Sequence, residues 1–141
     1  MDCDNFKEIN DRFGHKEGDR LLEKIAQTPK ANLRKTDMIG RLGSDEIVVV
    51  LSNTGKNHAP EAVEKLRREL NLAMTEQGWP VTFSVGLGIF YVVPESVDEM
   101  ISFTDKLMYR VKSSGKNNIL TDERIHADAG PASVALRNAG H

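Results

Sequence analysis

The sequence predicts an α+β fold, with a mostly antiparallel sheet flanked by helices, from two kinds of hydrophobic periodicity. Apolar residues recur at helical spacing in three stretches, at 21–26, 63–73 and 100–111. Two segments rich in β-branched residues, 47–52 and 81–93, alternate with these stretches and are predicted to be strands. Helices that pack against one face of an antiparallel sheet are typical of the α+β class.

Shorter segments complete the predicted order of helix, hairpin, helix, strand, helix and final strand. The segment 38–42 is expected to pair with 47–52 across a Gly-Ser-Asp-Glu turn, because turn residues separate two strand-like runs. The segment 117–120 is expected to form the short final strand. Asp2 is expected to end a strand at the start of the chain.

Pro29 interrupts the first helical stretch. A proline inside a helix removes one backbone hydrogen bond and clashes with the preceding turn, so the helix is expected to end near Gln27. Thr28 would then be the N-cap of a second helix, with Pro29 in its first turn.

The composition fits one soluble, cytoplasmic domain. A chain of 141 residues with 39% hydrophobic and 28% charged residues is long enough to bury a core. No apolar run approaches the length of a membrane span, and the N-terminus has no features of a secretion signal. The single cysteine, Cys3, excludes an internal disulfide and fits a reducing compartment. The net charge of −2 provides no general attraction to nucleic acid, so lysines and a metal ion would have to hold any phosphorylated ligand.

Two adjacent carboxylates, Asp45 and Glu46, precede the predicted strand 47–52. Acidic residues are also ordinary in an exposed hairpin turn. If the strand that ends at Asp2 lies beside the hairpin, however, three carboxylates converge at one end of the sheet. Oxygen ligands of this kind suit Mg²⁺, which proteins hold with one or two carboxylates together with substrate phosphates.

Two further pairs of polar residues are candidates for nucleotide binding. Asn10 and Asp19 supply donors and acceptors that match the O6, N1 and N2 groups of guanine. Taken singly, a helix cap for Asn10 and a helix N-terminal acid for Asp19 are the better explanations. Lys112 and Lys116 flank a Ser-Ser-Gly stretch and could hold phosphates together with backbone N–H groups. Lysines at a helix end are also common simply because they are solvated there.

Arg34 and Asp37 lie just before the predicted hairpin. Their spacing allows an i, i+3 ion pair, which contributes a few tenths of a kcal/mol. An arginine can equally form two hydrogen bonds to the O6 and N7 atoms of a guanine. The sequence leaves both interpretations open.

Four motifs, taken together, resemble the GGDEF domain of bacterial diguanylate cyclases. They are DCDNFKEINDRFGHKEGD (2–19), RKTDMIGRLGSDEI (34–47), FSVGLG (83–88) and TDKLMYRVKSSGKN (104–117). The resemblance implies a fold related to the palms of nucleotidyl cyclases and polymerases. It also implies the condensation of two GTP molecules into cyclic di-GMP with release of pyrophosphate. The predicted domain covers 1–122, and the small, polar composition near the C-terminus predicts a flexible tail at 123–141.

The resemblance implies a role for each residue at a matching position. Binding of Mg²⁺ or Mn²⁺ is implied for Asp2, Asp45, Glu46 and the backbone carbonyl of Cys3. Catalysis is implied for Asp45, Glu46 and Lys7. Contacts with GTP are implied for Phe6, Asn10, Asp19, Gly43, Ser44, Lys112 and Lys116. Arg34 and Asp37 match the RxxD motif, through which cyclic di-GMP inhibits such enzymes.

The implied partners are GTP, cyclic di-GMP, a second copy of the domain and an upstream sensor domain. Each domain binds one GTP, so catalysis requires a homodimer. Neither nucleic acid nor a membrane segment is expected.

The sequence departs from the family pattern at three places. Ser44 replaces the second glycine and Ile47 replaces the usual phenylalanine, and the segment that usually precedes the first strand is missing. If the turn needs a positive φ, the Cβ of Ser44 costs on the order of 1 kcal/mol. The alternative function is therefore an impaired GGDEF domain that only binds GTP or cyclic di-GMP.

Overall fold

The chain divides into two compact units. The structure, a computed structural model, describes residues 1–125 and the backbone of 137–138. The first unit comprises Met1–Asn53 and Lys65–Phe83, and the second comprises Thr54–Glu64 and the chain from Ser84 onward. No helix in the described part of the chain is both long enough and apolar enough to cross a bilayer.

The helices and strands follow the predicted order, with an additional helix at the start and an additional short strand after the predicted final one. The helices are α1 (Phe6–Phe13), α2 (His15–Gln27), α3 (Ala59–Glu76) and α4 (Val97–Ser113), with a 3₁₀ turn at Pro29–Ala31. The strands are β1 (Asp2–Asp4), β2 (Met38–Arg41), β3 (Ile47–Val50), β4 (Thr82–Phe90), β5 (Ile119–Arg124) and β6 (Arg137–Asn138).

The strands form one mixed sheet and one hairpin. The larger sheet has the order β1-β4-β5-β6, in which β4 and β5 are parallel and β5 and β6 are antiparallel. The predicted α+β class is confirmed, but the sheet is mixed rather than mostly antiparallel. The reason is that α4 connects β4 to β5, and a helical crossover of this length brings two strands into parallel register. The predicted pairing of β2 with β3 is confirmed, with Met38 opposite Val50 and Arg41 opposite Ile47.

The first unit has a continuous apolar core, built from the helical stripes and the strands that the sequence indicates. Its buried members are Cys3, Ile9, Leu21, Ile25, Ile47, Leu66, Leu70, Ala73, Met74, Trp79, Val81 and Phe83. Cys3 and Ile47 belong to this core, so burial of these side chains holds β1 against the start of β3.

In the second unit, α4 lies very close to β4. A Cβ at Gly86 would overlap the carbonyl oxygen of Thr104 and the amide nitrogen of Met108. Leu107 and Val111 are the buried side chains of α4. Glycine is therefore required at this position by packing, because no larger residue leaves room for the helix backbone.

Three local predictions need correction. The first strand begins at Asp2 and ends at Asp4, whereas Asp2 was expected to end it. Helix α2 ends at Gln27 as expected, but only one 3₁₀ turn follows, and Thr28 makes no side-chain cap. The backbone of Thr28 is helical, and its Oγ1 donates to the Lys24 carbonyl at 2.7 Å. The hydroxyl therefore bonds to the last turn of α2 and does not cap a following helix. The strand predicted at 117–120 is β5, which begins at Ile119 and continues to Arg124. The rest of the predicted tail lies outside the described residues, apart from the backbone of 137–138.

Candidate functional site

Strand β1 runs antiparallel to the residues that open β3. The amide of Cys3 donates to the Asp45 carbonyl at 3.0 Å, and the amide of Ile47 donates to the Met1 carbonyl at 2.9 Å. These two bonds place Asp2 directly opposite Glu46. The expectation that the first aspartate lies beside the hairpin agrees with this geometry for Glu46.

Asp2 and Glu46 occupy a position where opposed side chains approach closely. The two flanking hydrogen bonds define a non-hydrogen-bonded pair, in which Cα atoms are typically about 4.5 Å apart. Two like charges that face each other across a ladder destabilise it. A cation between them removes this cost, so the pair suits a hard, divalent metal ion.

The carboxylates do not complete a metal site by themselves. Within residues 1–125, no three histidine, cysteine, aspartate or glutamate side chains are grouped closely enough to hold a metal ion. A metal ion bound here therefore needs other oxygen ligands, such as the backbone carbonyl of Cys3 and the phosphates of a nucleotide. That mixture of ligands is typical of Mg²⁺. The roles of Asp2, Cys3, Asp45 and Glu46 as ligands remain predictions.

Asp4, the second aspartate of β1, has a different environment from Asp2. Its side chain is buried, and Oδ2 accepts a hydrogen bond from Thr82 Oγ1 at 2.8 Å. A buried carboxylate that accepts a hydroxyl at the start of the neighbouring strand has a structural role.

The turn between β2 and β3 is held by an arginine that sequence reasoning missed. Arg41 donates from Nε to the Gly43 carbonyl at 2.9 Å and from Nη2 to the Ser44 carbonyl at 2.8 Å. Neither Gly43 nor Ser44 has a positive φ, so the Cβ of Ser44 causes no backbone strain of the kind considered above. Ser44 Oγ lies 3.5 Å from Asp45 Oδ1. The only signal for Arg41 was its position two residues before the turn.

Helices α1 and α2 bring Asn10 close to the residue that precedes Asp19. Gly14 joins the two helices with φ 89°, a conformation that favours glycine. A Cβ at Gly18 would overlap the side-chain oxygen of Asn10, so the Asn10 amide lies directly against the α2 backbone. The helix-cap interpretation of Asn10 is wrong, since this residue lies inside α1. Asp19 follows Gly18 and is exposed.

The other residues that are predicted to contact GTP lie on α1 and at the C-terminal end of α4. Phe6 begins α1 and is partly buried against the first core, whereas Lys7 follows it and is exposed. Lys112 lies in the last turn of α4, and Lys116 follows α4 with φ 64°. Both lysines belong to the second unit, and their contacts with phosphate stay predictions.

Arg34 and Asp37 form the ion pair that their spacing allows. Asp37 Oδ1 accepts from Arg34 Nη2 at 3.1 Å, and Oδ2 accepts from the Arg34 backbone amide at 2.8 Å. Arg34 Nη2 also donates to the Ser52 carbonyl at 2.7 Å. The guanidinium is therefore fixed in orientation at the surface, next to β3. Binding of cyclic di-GMP at this pair is not tested by the geometry.

The hydrogen bond from Arg34 lowers the pKa of Asp37 below its ordinary value of 3.8. A carboxylate with a lowered folded-state pKa stabilises the fold above its unfolded pKa, and this contribution disappears as the pH falls through the folded value. We therefore expect Asp37→Asn to lower the melting temperature near neutral pH, by an amount that shrinks below pH 3.8. Circular dichroism melts across this range provide the measurement. If the difference in melting temperature between the unchanged protein and Asp37→Asn does not shrink as the pH falls below 3.8, the lowered pKa of Asp37 is contradicted.

Comparison with models of known protein families identifies the family of this chain. The model of the diguanylate cyclase GGDEF domain matches residues 1–118. The chain belongs to the GGDEF family. The turn held by Arg41 lies where the sequence predicts the signature motif of the family, and we call it the signature turn.

Individual relatives of this GGDEF domain include both sequences and solved structures. Diguanylate cyclase A of Treponema denticola is 33% identical over 122 residues, which cover 84% of this chain and 33% of that protein. The chain thus spans about a third of this relative's length. The active GGEEF domain of a diguanylate cyclase from Vibrio cholerae has a TM-score of 0.74 at 28% identity, over 85% of this chain and 78% of that one. A microbial GGDEF domain studied for its interaction with cyclic di-GMP has a TM-score of 0.62 at 33% identity, over 86% of this chain and 74% of that one.

Proposed function

We propose that this GGDEF domain is a diguanylate cyclase, which condenses two GTP molecules into cyclic di-GMP and releases two pyrophosphates. The observation that carries the proposal is the backbone pairing of Asp2 with Glu46, directly beside the signature turn. A fold without catalytic function has little reason to oppose two carboxylates at this position, because their repulsion lowers its stability. Relatives named diguanylate cyclase provide independent support.

Each group of residues has a separate task in the proposed reaction. Asp2, Asp45, Glu46 and the Cys3 carbonyl would hold the metal ion, while Asn10 and Asp19 bind the guanine edge. Lys7 holds phosphate, and the nucleotide lies along Gly43 and Ser44 against Phe6. When bound, Mg²⁺ neutralises the charge that gathers on the α-phosphate and lowers the pKa of the attacking hydroxyl.

The two bond-forming events are equivalent. The 3′-hydroxyl of each GTP attacks the α-phosphorus of the other, and Glu46 accepts the hydroxyl proton. One ester bond forms and one anhydride bond breaks in each event, so two pyrophosphates leave for each cyclic product. One domain supplies one guanine site, so two copies have to face each other, as an isologous dimer allows.

The direct test measures product formation when dimerisation is enforced. The chain is fused to a leucine zipper and incubated with GTP and Mg²⁺, and cyclic di-GMP is resolved by mass. Asp45→Asn is expected to reduce the rate at least about a hundredfold, because it removes a group that contributes several kcal/mol of charge stabilisation. Glu23→Gln, which changes an exposed acid on α2, serves as the matched control and should keep full activity. A demonstrated dimer that makes no cyclic di-GMP refutes the proposal.

A second function, binding of cyclic di-GMP at Arg34 and Asp37, is favoured by the fixed orientation of the Arg34 guanidinium. A guanidinium that is already held in place loses less conformational entropy when it binds a planar base. Calorimetry with cyclic di-GMP should show a large loss of affinity in Arg34→Ala and none in Arg68→Ala, an exposed arginine on α3. Equal affinities in all three proteins would exclude this site.

A further inference from the structure

Four residues, which we call the Trp79 network, connect α2 to the loop between α3 and β4. They are Glu17 and Arg20 on α2 and Gln77 and Trp79 in the loop. Trp79 Nε1 donates to Glu17 Oε1 at 2.9 Å. Arg20 Nη1 donates to both carboxylate oxygens of Glu17, at 2.9 and 3.0 Å, and Arg20 Nη2 donates to Gln77 Oε1 at 3.2 Å.

The physical role of the network is to fix α2 against this loop. Trp79 is only 5% exposed, and a buried indole N–H requires an acceptor. Glu17 is that acceptor, and the guanidinium of Arg20 compensates its charge while lying 5.8 Å above the Trp79 ring. Because both α2 residues contact the same loop, the helix cannot rotate about its axis without breaking several hydrogen bonds.

The residues between Glu17 and Arg20 are Gly18 and Asp19, and the proposed function assigns Asp19 to the guanine edge. Gly18 contacts the Asn10 side chain, and Asp19 is exposed beside it. The Trp79 network therefore holds α2 from one side while Asn10 packs against it from the other. A small rotation of α2 would move the Asp19 carboxylate relative to the Asn10 amide.

We propose that Glu17, Arg20 and Trp79 are positioning residues for guanine recognition, which set the orientation of Asp19 through α2. The proposal rests on the proposed function, in which Asn10 and Asp19 bind the guanine edge. None of the three residues has to touch the nucleotide. Their effect is on affinity and base selectivity, because the carboxylates of β1 and the signature turn lie elsewhere in the unit.

The experiment compares GTP with ITP, which lacks the exocyclic 2-amino group of guanine. Steady-state kinetics are measured on the zipper dimer, and nucleotide affinity is measured by calorimetry. We expect Trp79→Phe, which keeps an aromatic ring in the core but loses the N–H donor, to raise KM for GTP about fivefold. The kcat should stay within about a factor of two, and the preference for GTP over ITP should fall.

A conservative pair of variants separates positioning from simple stability. Glu17→Gln keeps an acceptor for the indole N–H and is expected to retain most of the GTP preference, whereas Glu17→Ala is expected to lose it. Trp79 is the single tryptophan of the sequence, so its fluorescence reports whether each variant of Glu17 has disrupted the network.

Each outcome is decisive. If Trp79→Phe and Glu17→Ala lower the melting temperature but leave KM and the GTP preference unchanged, the network is only structural and the inference is overturned. Measuring the variant Asp19→Asn in the same assays separates failure of the positioning role from failure of the proposed guanine site. Should Asp19→Asn itself leave the preference intact, the guanine assignment fails and the positioning role is rejected with it.

Discussion

Replacing Asp2 by asparagine is expected to abolish cyclic di-GMP formation without weakening the fold. The activity should fall at least about a hundredfold, since a metal ligand contributes several kcal/mol to transition-state stabilisation. In the absence of divalent ions, the melting temperature should stay equal or rise, because one of two opposed negative charges is removed. Addition of Mg²⁺ should raise the melting temperature of the unchanged protein and leave Asp2→Asn unaffected.

Asp11→Asn is the matched control for this prediction, because Asp11 is exposed on α1. It should resemble the unchanged protein in both activity and response to Mg²⁺. A variant Asp2→Asn that unfolds more readily without metal and still responds to Mg²⁺ would show that Asp2 is a structural residue. Scanning calorimetry in EDTA and in Mg²⁺ distinguishes the two results.

Replacing Gly86 by alanine is expected to destabilise the second unit by about 3 kcal/mol, at the upper end of the usual cost of overpacking. The new Cβ would overlap backbone atoms of Thr104 and Met108, which cannot rotate away as a side chain can. Either α4 has to shift from β4 or the parallel ladder has to open. Urea denaturation monitored by circular dichroism measures the loss.

Gly40→Ala is the corresponding control, because it also places a methyl group on a strand glycine. Nothing lies within 4 Å of a Cβ at Gly40, which is on β2 of the hairpin. Its free energy of unfolding should change by less than about 0.5 kcal/mol, as for most exposed substitutions. Similar losses in the two variants would contradict the claim that α4 depends on a close approach at Gly86.

The sequence predicts most helices and strands because their apolar residues recur with a clear period. The hairpin of β2 and β3 is an example, since β-branched residues and a polar turn are both local signals. Helix α1 was not predicted, because eight residues with Ile9 as the buried apolar side chain give too short a pattern. The prediction that Thr28 caps a second helix follows from its position directly before Pro29, although a threonine hydroxyl can equally bond to the preceding turn.

In the candidate site, too, residues in local motifs were predicted from the sequence, whereas most contacts between residues far apart in the sequence were not. The resemblance to a known family assigns Asp2, Asp45 and Glu46 to the site, and the backbone pairs Asp2 with Glu46 alone. Arg41 bonds to carbonyls only two and three residues away, but an exposed arginine beside a turn has many possible partners. The contact between Glu17 and Trp79 joins residues 62 positions apart, and no periodicity in the sequence indicates it.

The conformation of the signature turn has a consequence for how related proteins are sorted into active and inactive members. Since Ser44 adopts a φ that any amino acid tolerates, the backbone does not demand a glycine there. A survey that classifies members as degenerate whenever the glycine pair is broken would discard chains whose turn is sound. In this chain, the carbonyls of the turn are held by the Arg41 guanidinium although the second glycine is absent.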